Sequence, residues 1–288
     1  PVADEAMGTT YRSAVGSLIF YGQDRADIQL EIGLLGQYLK TPTEGAFKAL
    51  KRLVRYLIGT KEMEIVMRMP KNVTPGVVLV EGYGDADWAG DKVTRKSRSS
   101  GHIVTDSTCP MMDFSRRQSI IGTSSGIVEF YAQCSVAEEL IGFKGVYEFF
   151  GYTVELVMHC DSTAAKGMML RRGIGKVRQL DVKLLWLQEV VALKILKVLK
   201  VDTIWNIADL GTKILNAERL NFLRRLAGLK LPFETIKDME SVQPGGKKEA
   251  YVNSCSRQQA AVAFSCSKQQ ATVALQAAIA LVLATQSE

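Results

Sequence analysis

The sequence predicts an α+β protein in which helices pack on a mixed β-sheet, and three observations lead to that prediction. Apolar residues recur at helical spacing between residues 11 and 59. Short strand patterns separated by Gly, Pro and Ser follow from residue 63 onward. Helix and strand patterns then alternate as far as residue 229. An antiparallel strand group followed by alternating elements forms a mixed sheet that helices cover.

The first 60 residues are predicted to be helical. Apolar stretches at 14–21 and 28–35 indicate two short helices. The clearest helix covers 43–59, because its apolar residues lie three and four apart and Thr43 and Gly59 suit its two ends. A set of cations on this helix indicates a solvated face, with nucleic-acid phosphates as the less favoured partner. These cations are Lys48, Lys51, Arg52 and Arg55.

The remaining elements follow from changes in periodicity and from turn residues. Strands are predicted at 63–69, 77–84, 101–105, 111–115, 154–160 and 195–205, with a short further piece starting at 120–121. Helices are predicted at 126–150, 162–170, 181–192 and 216–229.

Composition limits the class of protein. The hydrophobic content of 47% over 288 residues supports a substantial core, and a formal net charge of +6 permits a polyanionic partner. The five cysteines are scattered without a Cys-x-x-Cys pair, which argues against a disulfide framework or a zinc motif. We therefore expect a reducing compartment, the cytoplasm or the nucleus. The start at Pro1 indicates a fragment or a processed product, and no targeting signal is legible.

The last part of the chain differs in character. A linker-like break at 243–248 precedes a near-repeat of residues 254–260 at 265–271. The apolar stretch at 273–284 is shorter than the ~20 residues that cross a bilayer, so we predict no transmembrane span. An amphipathic helix that packs on a partner or on the protein itself is favoured over a membrane anchor.

Four acidic residues lie where strands end or helices begin. Asp85 and Asp161 follow apolar strand patterns, Glu129 lies in the first turns of the long helix, and Asp209 starts a short helical segment. A single Asp at a strand exit is more often a turn or cap residue than a ligand. Four carboxylates in a compatible order strengthen the case for a site for Mg²⁺, which prefers oxygen ligands, but by spacing alone the turn or cap role is still favoured.

A basic segment, with a middle that Gly173-Ile174-Gly175 is predicted to make flexible, lies near the third and fourth of these carboxylates. Its cations are Lys166, Arg171, Arg172, Lys176, Arg178 and Lys183. Such a segment can follow a phosphate backbone without reading sequence, although an ordinary solvated loop is the alternative. Trp88 and Trp205 are predicted to pack in the core in preference to stacking on bases. His102 and His159 have no neighbours at metal-ligand spacing, and neither is assigned a role.

At several of these residues the chain resembles the ribonuclease H end of copia-type retrotransposon Pol polyproteins, including the segment that connects it to reverse transcriptase. The resemblance covers about residues 8–229. The strings that carry it are Tyr11 to Leu18, Ala26-Asp27-Ile28, Lys48 to Thr60, Asp85-Ala86-Asp87-Trp88-Ala89-Gly90-Asp91, Arg98-Ser99-Ser100-Gly101, Cys160-Asp161-Ser162, and Ala208-Asp209-Leu210-Gly211-Thr212-Lys213. The string that begins at Asp85, in this order with the others, is the most specific of them.

The resemblance implies a ribonuclease H-like five-stranded mixed sheet flanked by helices. Together with the change in composition after residue 230, it predicts three parts: a connection segment at 1–76, a ribonuclease H-like domain at 77–230 and, outside the resemblance, a low-complexity tail at 231–288 that can form a helix. It further implies that Asp85, Glu129, Asp161 and Asp209 hold two Mg²⁺ or Mn²⁺ ions and cut the RNA strand of an RNA–DNA hybrid, leaving a 3′ hydroxyl and a 5′ phosphate. Lys213 joins the basic segment as a predicted nucleic-acid contact.

An alternative is a decayed or co-opted copy that serves as a structural subunit. Reverse-transcriptase domains or a host complex would then contact residues 11–58 and the tail, and the helix at 43–58 would leave an apolar face exposed. Two departures from the family pattern bear on activity. The stretch Ser125 to Tyr131 lacks the usual first Glu and carries Gly126, and the family's usual His is replaced within Arg178-Gln179-Leu180-Asp181. The Tyr-x-Asp-Asp signature of polymerisation is absent.

Overall fold

The structure of the chain is a computed structural model, and it describes residues 4–68, 74–107, 109–175, 182–235, 237 and 261–264. The helices are α1 (Glu5–Tyr21), α2 (Gln29–Gly36), α3 (Glu44–Gly59), α4 (Ser125–Phe149), α5 (Thr163–Leu170), α6 (Val182–Ala192) and α7 (Ala217–Leu226). The strands are β1 (Glu64–Arg68), β2 (Val77–Ala86), β3 (Arg98–Thr105), β4 (Cys109–Arg117), β5 (Thr153–Cys160), β6 (Lys197–Lys200), β7 (Leu229–Lys230) and β8 (Ala261–Phe264).

The main sheet has five strands in the order β4-β3-β2-β5-β6. Strand β3 pairs antiparallel with β2 on one side and with β4 on the other. Strand β5 pairs parallel with β2, and β6 pairs parallel with β5. Parallel pairing needs a crossover, and α4 supplies the one between β4 and β5. The prediction of an α+β protein with a five-stranded mixed sheet flanked by helices is therefore confirmed.

Helix α4 covers one face of this sheet closely because glycines in β2 leave room for it. A Cβ on Gly82 would lie 2.5 Å from a methyl carbon of Val136, and one on Gly84 would lie 2.7 Å from the amide nitrogen of Gln133. The core beneath α4 includes Phe130 and Leu140, both fully buried. Side chains alternate along a strand, so Asp85, which follows Gly84, faces the other side of the sheet.

The N-terminal helices enclose a second core. The apolar face of α3, from Phe47 to Leu57, packs with Tyr11 and Leu18 of α1. The expectation that this helix leaves its apolar face exposed is therefore wrong, since α1 and α2 cover it. A smaller cluster joins Ala26 to Leu223 of α7, across the division predicted at residue 76. That division stays a prediction.

Four local predictions differ from the structure. The strand predicted at 195–205 is limited to β6, and a 3₁₀ helix, Thr203–Trp205, follows it. No strand forms at 120–121, where the chain bends. The helix predicted to reach 229 ends at Leu226, because β7 follows and pairs with β1. Strand β1 belongs to a second sheet, β7-β1-β8, outside the main one.

Besides residues 231–235 and 237, the tail contributes β8 to the described residues, and this strand pairs antiparallel with β1. The helix predicted at 273–284 lies outside the described residues, as do the near-repeat and the linker-like break. Among the helices that the structure describes, none combines the length and apolar character that crossing a membrane requires.

Candidate metal centre

Three of the four predicted carboxylates meet at the end of the main sheet. One ligand atom each of Asp85, Glu129 and Asp161 lies within 4.8 Å of the other two. Asp85 lies near the end of β2, Asp161 directly after β5, and Glu129 in the second turn of α4. The parallel pairing of β2 with β5 brings the first two together, and α4 packs across both strands.

The end of β2 is held in place from both sides. The carbonyl of Gly84 accepts hydrogen bonds from the side-chain amides of Gln133 and Asn206, each at 3.1 Å. The carboxylate of Asp85, which is 1% exposed, then accepts a hydrogen bond from the hydroxyl of Thr212. Two amides and a hydroxyl from distant segments therefore position the central carboxylate.

Glu129 is the least compensated acid of the site. One of its carboxylate oxygens is buried without a hydrogen-bond partner among the described residues. Burial and, after it, the nearby carboxylates of Asp85 and Asp161 together raise the pKa of Glu129 to about 9, against the opposing charge of Lys213. A buried, unpaired oxygen beside two other carboxylates is the environment that a cation relieves.

Burial also raises the pKa of Asp85, to about 6. The ammonium of Lys213, 3.7 Å away, and the hydroxyl of Thr212 oppose this shift, while Asp209 and Asp161 add to it. Both shifts have burial as their main cause and the neighbouring carboxylates as a second one, so the ionised carboxylates are disfavoured here without a further cation.

Asp209 does not belong to this group of three. It lies in the 3₁₀ helix Ile207–Gly211 and is 3% exposed. Its two oxygens are taken by two cations, the ammonium of Lys213 at 2.5 Å and the guanidinium of Arg219 at 3.1 Å. Lys213 therefore bridges Asp209 and Asp85, and its charge lies between the fourth carboxylate and the other three.

Lys213 was predicted to contact nucleic acid, and this stays a prediction; its ammonium pairs with Asp85 and Asp209 while 41% of its side chain is exposed. Burial lowers its pKa, yet the carboxylates of Asp85 and Asp209 outweigh this and raise it. Arg219 was missed by the sequence reasoning, because nothing on α7 indicates that its guanidinium reaches Asp209. Thr212 was missed as a contact of Asp85 although it lies in the same string as Asp209 and Lys213.

The basic segment is described only in part. Lys166 is half-buried on α5 and Arg172 is exposed. Arg171 donates to the carbonyl of Ile174 at 2.7 Å and closes the loop on itself. Gln188 of α6 accepts from Gly173 and fastens this loop, which the sequence predicted to be flexible. Lys176 and Arg178 lie outside the described residues, as do the side chain of Lys183 and the stretch 178–181 that lacks the family's His.

Gly126 has a packing role at the start of α4. The helix begins after Ser124, whose hydroxyl accepts from the amide of Ile127. A Cβ on Gly126 would lie 3.0 Å from the methyl carbon of Ala164 on α5. The glycine therefore allows α5, which follows Asp161, to approach α4 without disturbing the turn that carries Glu129.

The two histidines lie on one face of the sheet, beside Tyr83. The ring of His159 stacks on Tyr83 at 4.4 Å and bonds to Glu81 at 3.0 Å. His102 bonds to Asp113 at 2.7 Å. Each histidine has a carboxylate partner within the sheet, and each lies outside the group of three carboxylates.

No family model matches the chain. It is 31% identical over 225 residues to the retrovirus-related Pol polyprotein from transposon TNT 1-94 of Nicotiana tabacum, covering 76% of this chain and 16% of that protein. It is 28% identical over 228 residues to the corresponding polyprotein from transposon RE2 of Arabidopsis thaliana, covering 78% of this chain and 15% of that protein.

The chain belongs to the copia-type Pol polyprotein family. It spans about one sixth of the length of the polyproteins it matches. A solved ribonuclease H domain from Mycobacterium tuberculosis is also similar, at 12% identity and a TM-score of 0.32, covering 52% of this chain and 99% of that one. The polyprotein relatives place this chain within a copia-type Pol polyprotein, and its five-stranded mixed sheet agrees with the fold predicted from the sequence.

Proposed function

We propose that this copia-type domain hydrolyses the RNA strand of RNA–DNA hybrids with the help of divalent cations. The observation that supports the proposal is the meeting of Asp85, Glu129 and Asp161 within 4.8 Å. Their oxygen atoms are the ligands that Mg²⁺ and Mn²⁺ accept. The unpartnered oxygen of Glu129 fits the same assignment, because a cation would supply the charge that the protein leaves out.

Asp85, Glu129 and Asp161 would hold the first ion, and Asp85 and Asp209 would flank the second. A pair of bound divalent ions lowers the pKa of an attacking water and stabilises the leaving oxygen of a phosphodiester. Thr212 and the two amides that bond to the Gly84 carbonyl hold Asp85 where it could serve both ions. Lys213 would have to move away from Asp85 for the second ion to bind, since its ammonium lies between Asp85 and Asp209.

The products would be a 3′ hydroxyl and a 5′ phosphate, as the family resemblance implies. Lys166 and Arg172 offer positive charge near Asp161, and such contacts bind phosphates without reading sequence. An A-like hybrid is recognised mostly by shape and by 2′ hydroxyls, so little sequence preference is expected.

The test is cleavage of a labelled RNA–DNA hybrid by the purified chain in Mg²⁺ or Mn²⁺. Asp161→Asn should lower the rate by more than about 100-fold, because losing a ligand should cost at least as much as losing a residue that supports one. The matched control is Asp24→Asn, which makes the same change on an exposed residue. A folded wild-type chain that leaves the hybrid intact would instead support a structural subunit, whose contacts would involve residues 11–58 or the tail.

A further inference from the structure

Trp88 is placed in an unusual way for a large aromatic residue. It was predicted to pack in the core, and the structure shows that to be wrong, since 58% of the residue is exposed. Its indole nitrogen donates to the carbonyl of Gly122 at 3.2 Å. The hydrogen bond fixes the edge of the ring while much of the side chain stays open to solvent, which is the arrangement of a contact residue.

The chain around Trp88 forms an ordered loop at 87–97. Asp91 organises it by accepting hydrogen bonds from the amides of Val93 and Thr94 and from the Thr94 hydroxyl. The base of the loop is fastened where the amide of Ala89 donates to the hydroxyl of Ser97 at 2.9 Å. The loop therefore keeps its shape through its own hydrogen bonds.

This loop carries positive charge in the residues that follow Trp88. Lys92 and Arg95 are exposed, and Lys96 is half-buried. Of the two acids in the loop, Asp87 accepts from the amide of Arg98, and Asp91 is used by the loop's own hydrogen bonds and by Arg117 at 3.5 Å. An exposed aromatic ring in one loop with three cations is a combination that binds nucleic-acid backbones.

The loop also borders the carboxylates. Trp88 follows Asp85 by three residues at the end of β2, and its partner Gly122 lies seven residues before Glu129 of α4. The indole therefore bridges the two segments that deliver these carboxylates. A duplex whose phosphodiester reaches Asp85 and Glu129 passes this edge.

We propose that Trp88, with Lys92, Arg95 and Lys96, forms a hybrid-binding surface beside the carboxylates, distinct from the basic segment at 166–183. The inference rests on the proposed function and names the contact that places the hybrid. Bases inside a duplex already stack on each other, so the indole packs on a sugar ring in the shallow minor groove. The three cations bind phosphates next to that sugar.

The first experiment measures hybrid binding in the Asp161→Asn background, so that cleavage does not interfere. Trp88→Leu should weaken binding by about 3- to 10-fold, the loss expected for one aromatic contact. Trp88→Phe keeps a flat ring and should retain most of the affinity. Binding should change tryptophan fluorescence, and Trp88→Phe should remove most of that change. Melting curves check that both variants fold.

The second experiment tests the cations. Replacing Lys92, Arg95 and Lys96 together by Ala should lower the slope of log affinity against log salt by about 2 to 3, since three phosphate contacts are lost. The matched control replaces the exposed Lys48, Arg52 and Arg55 of α3, which changes net charge equally on another surface. Equal slopes for the two triple variants, or wild-type affinity for Trp88→Leu, would overturn the surface. Binding without cleavage by the wild type would overturn only the proposed function.

Discussion

Two buried carboxylate clusters, one at Asp27 and one at Asp85, Glu129 and Asp161, contain acids whose pKa values are shifted in opposite directions. In the N-terminal helices, Asp27 is 3% exposed, and burial alone would raise its pKa, but Arg25 outweighs burial and lowers it. Both oxygens of Asp27 accept from the Arg25 guanidinium at 2.8 and 2.7 Å, and the Tyr56 hydroxyl adds a bond of 2.6 Å. At the end of the sheet, Glu129 and Asp85 have raised pKa values.

The difference lies in the partners, because both clusters are removed from water. In the first, the charge of Asp27 is matched by one cation and one hydroxyl, which is what a structural ion pair requires, while the nearby Glu31 keeps one buried oxygen without a partner among the described residues. The second has three carboxylates and shares Lys213 with Asp209. Incomplete neutralisation inside a fold is a mark of a site that binds something positive. The Ala26-Asp27-Ile28 string of the family is accordingly structural in this chain.

The largest expected effect comes from breaking the balanced cluster. Arg25→Met should lower the free energy of unfolding by about 3–5 kcal/mol, because it leaves the Asp27 carboxylate buried without a cation. Urea denaturation measures the change. The double variant Arg25→Met with Asp27→Leu should recover most of the loss, since both charges are then gone. A single variant as stable as the wild type would contradict the structural assignment.

The unbalanced cluster should respond in the opposite direction. Glu129→Gln should stabilise the metal-free chain by about 1–2 kcal/mol at pH 8, a figure reduced for partial solvent access. The folded pKa is about 9 and the unfolded value is 4.5. Between pH 4.5 and about 9, Glu129 therefore holds a proton in the folded state that it has lost in the unfolded state, so the stability of the wild type falls as pH rises through this range.

The test of this sign is urea denaturation in EDTA at several pH values. The advantage of Glu129→Gln over the wild type should shrink as the pH approaches 4.5. The matched comparison is Asp27→Asn, which makes the same kind of change in the balanced cluster and should destabilise. If both amide variants shifted stability in the same direction, the distinction between the clusters would be lost.

Divalent cations should distinguish the clusters next. At a concentration tenfold above its dissociation constant, Mg²⁺ or Mn²⁺ should raise the free energy of unfolding by about 1.4 kcal/mol. Thermal melts at pH 8 measure this. Asp161→Asn should lose the increase, whereas Asp24→Asn should keep it. An equal increase in all three chains would place the cation elsewhere.

The smallest effect is expected at Lys213. Lys213→Met should lower the stability of the metal-free chain by about 0.5–1 kcal/mol, because Asp85 loses its one ion pair and Asp209 keeps only Arg219, and the ammonium is partly solvated. The same variant should bind Mn²⁺ more tightly, since the ammonium no longer lies between the carboxylates. Calorimetric titration measures the affinity, and weaker binding would show that Lys213 supports the ion instead.

The sequence alone determined the order of the elements and the acids they carry. Helical spacing identified α3, and alternating or continuous apolar runs identified β2 and β5, because each pattern follows from local backbone geometry. The carboxylates Asp85, Glu129 and Asp161 were identified by their places after these strands and at the start of α4. Parallel pairing of β2 with β5 then brings two of them together in any such fold.

Only the tertiary structure decided how these groups are partnered. Arg219 reaches Asp209 from α7, Lys213 turns inward to two carboxylates, and Trp88 stays at the surface with its indole nitrogen bonded to Gly122. Such contacts depend on which distant segments meet, and residue spacing does not encode that meeting. The charge balance of a buried acid is a sum over all its neighbours, so the sequence shows the acid and the fold decides its charge.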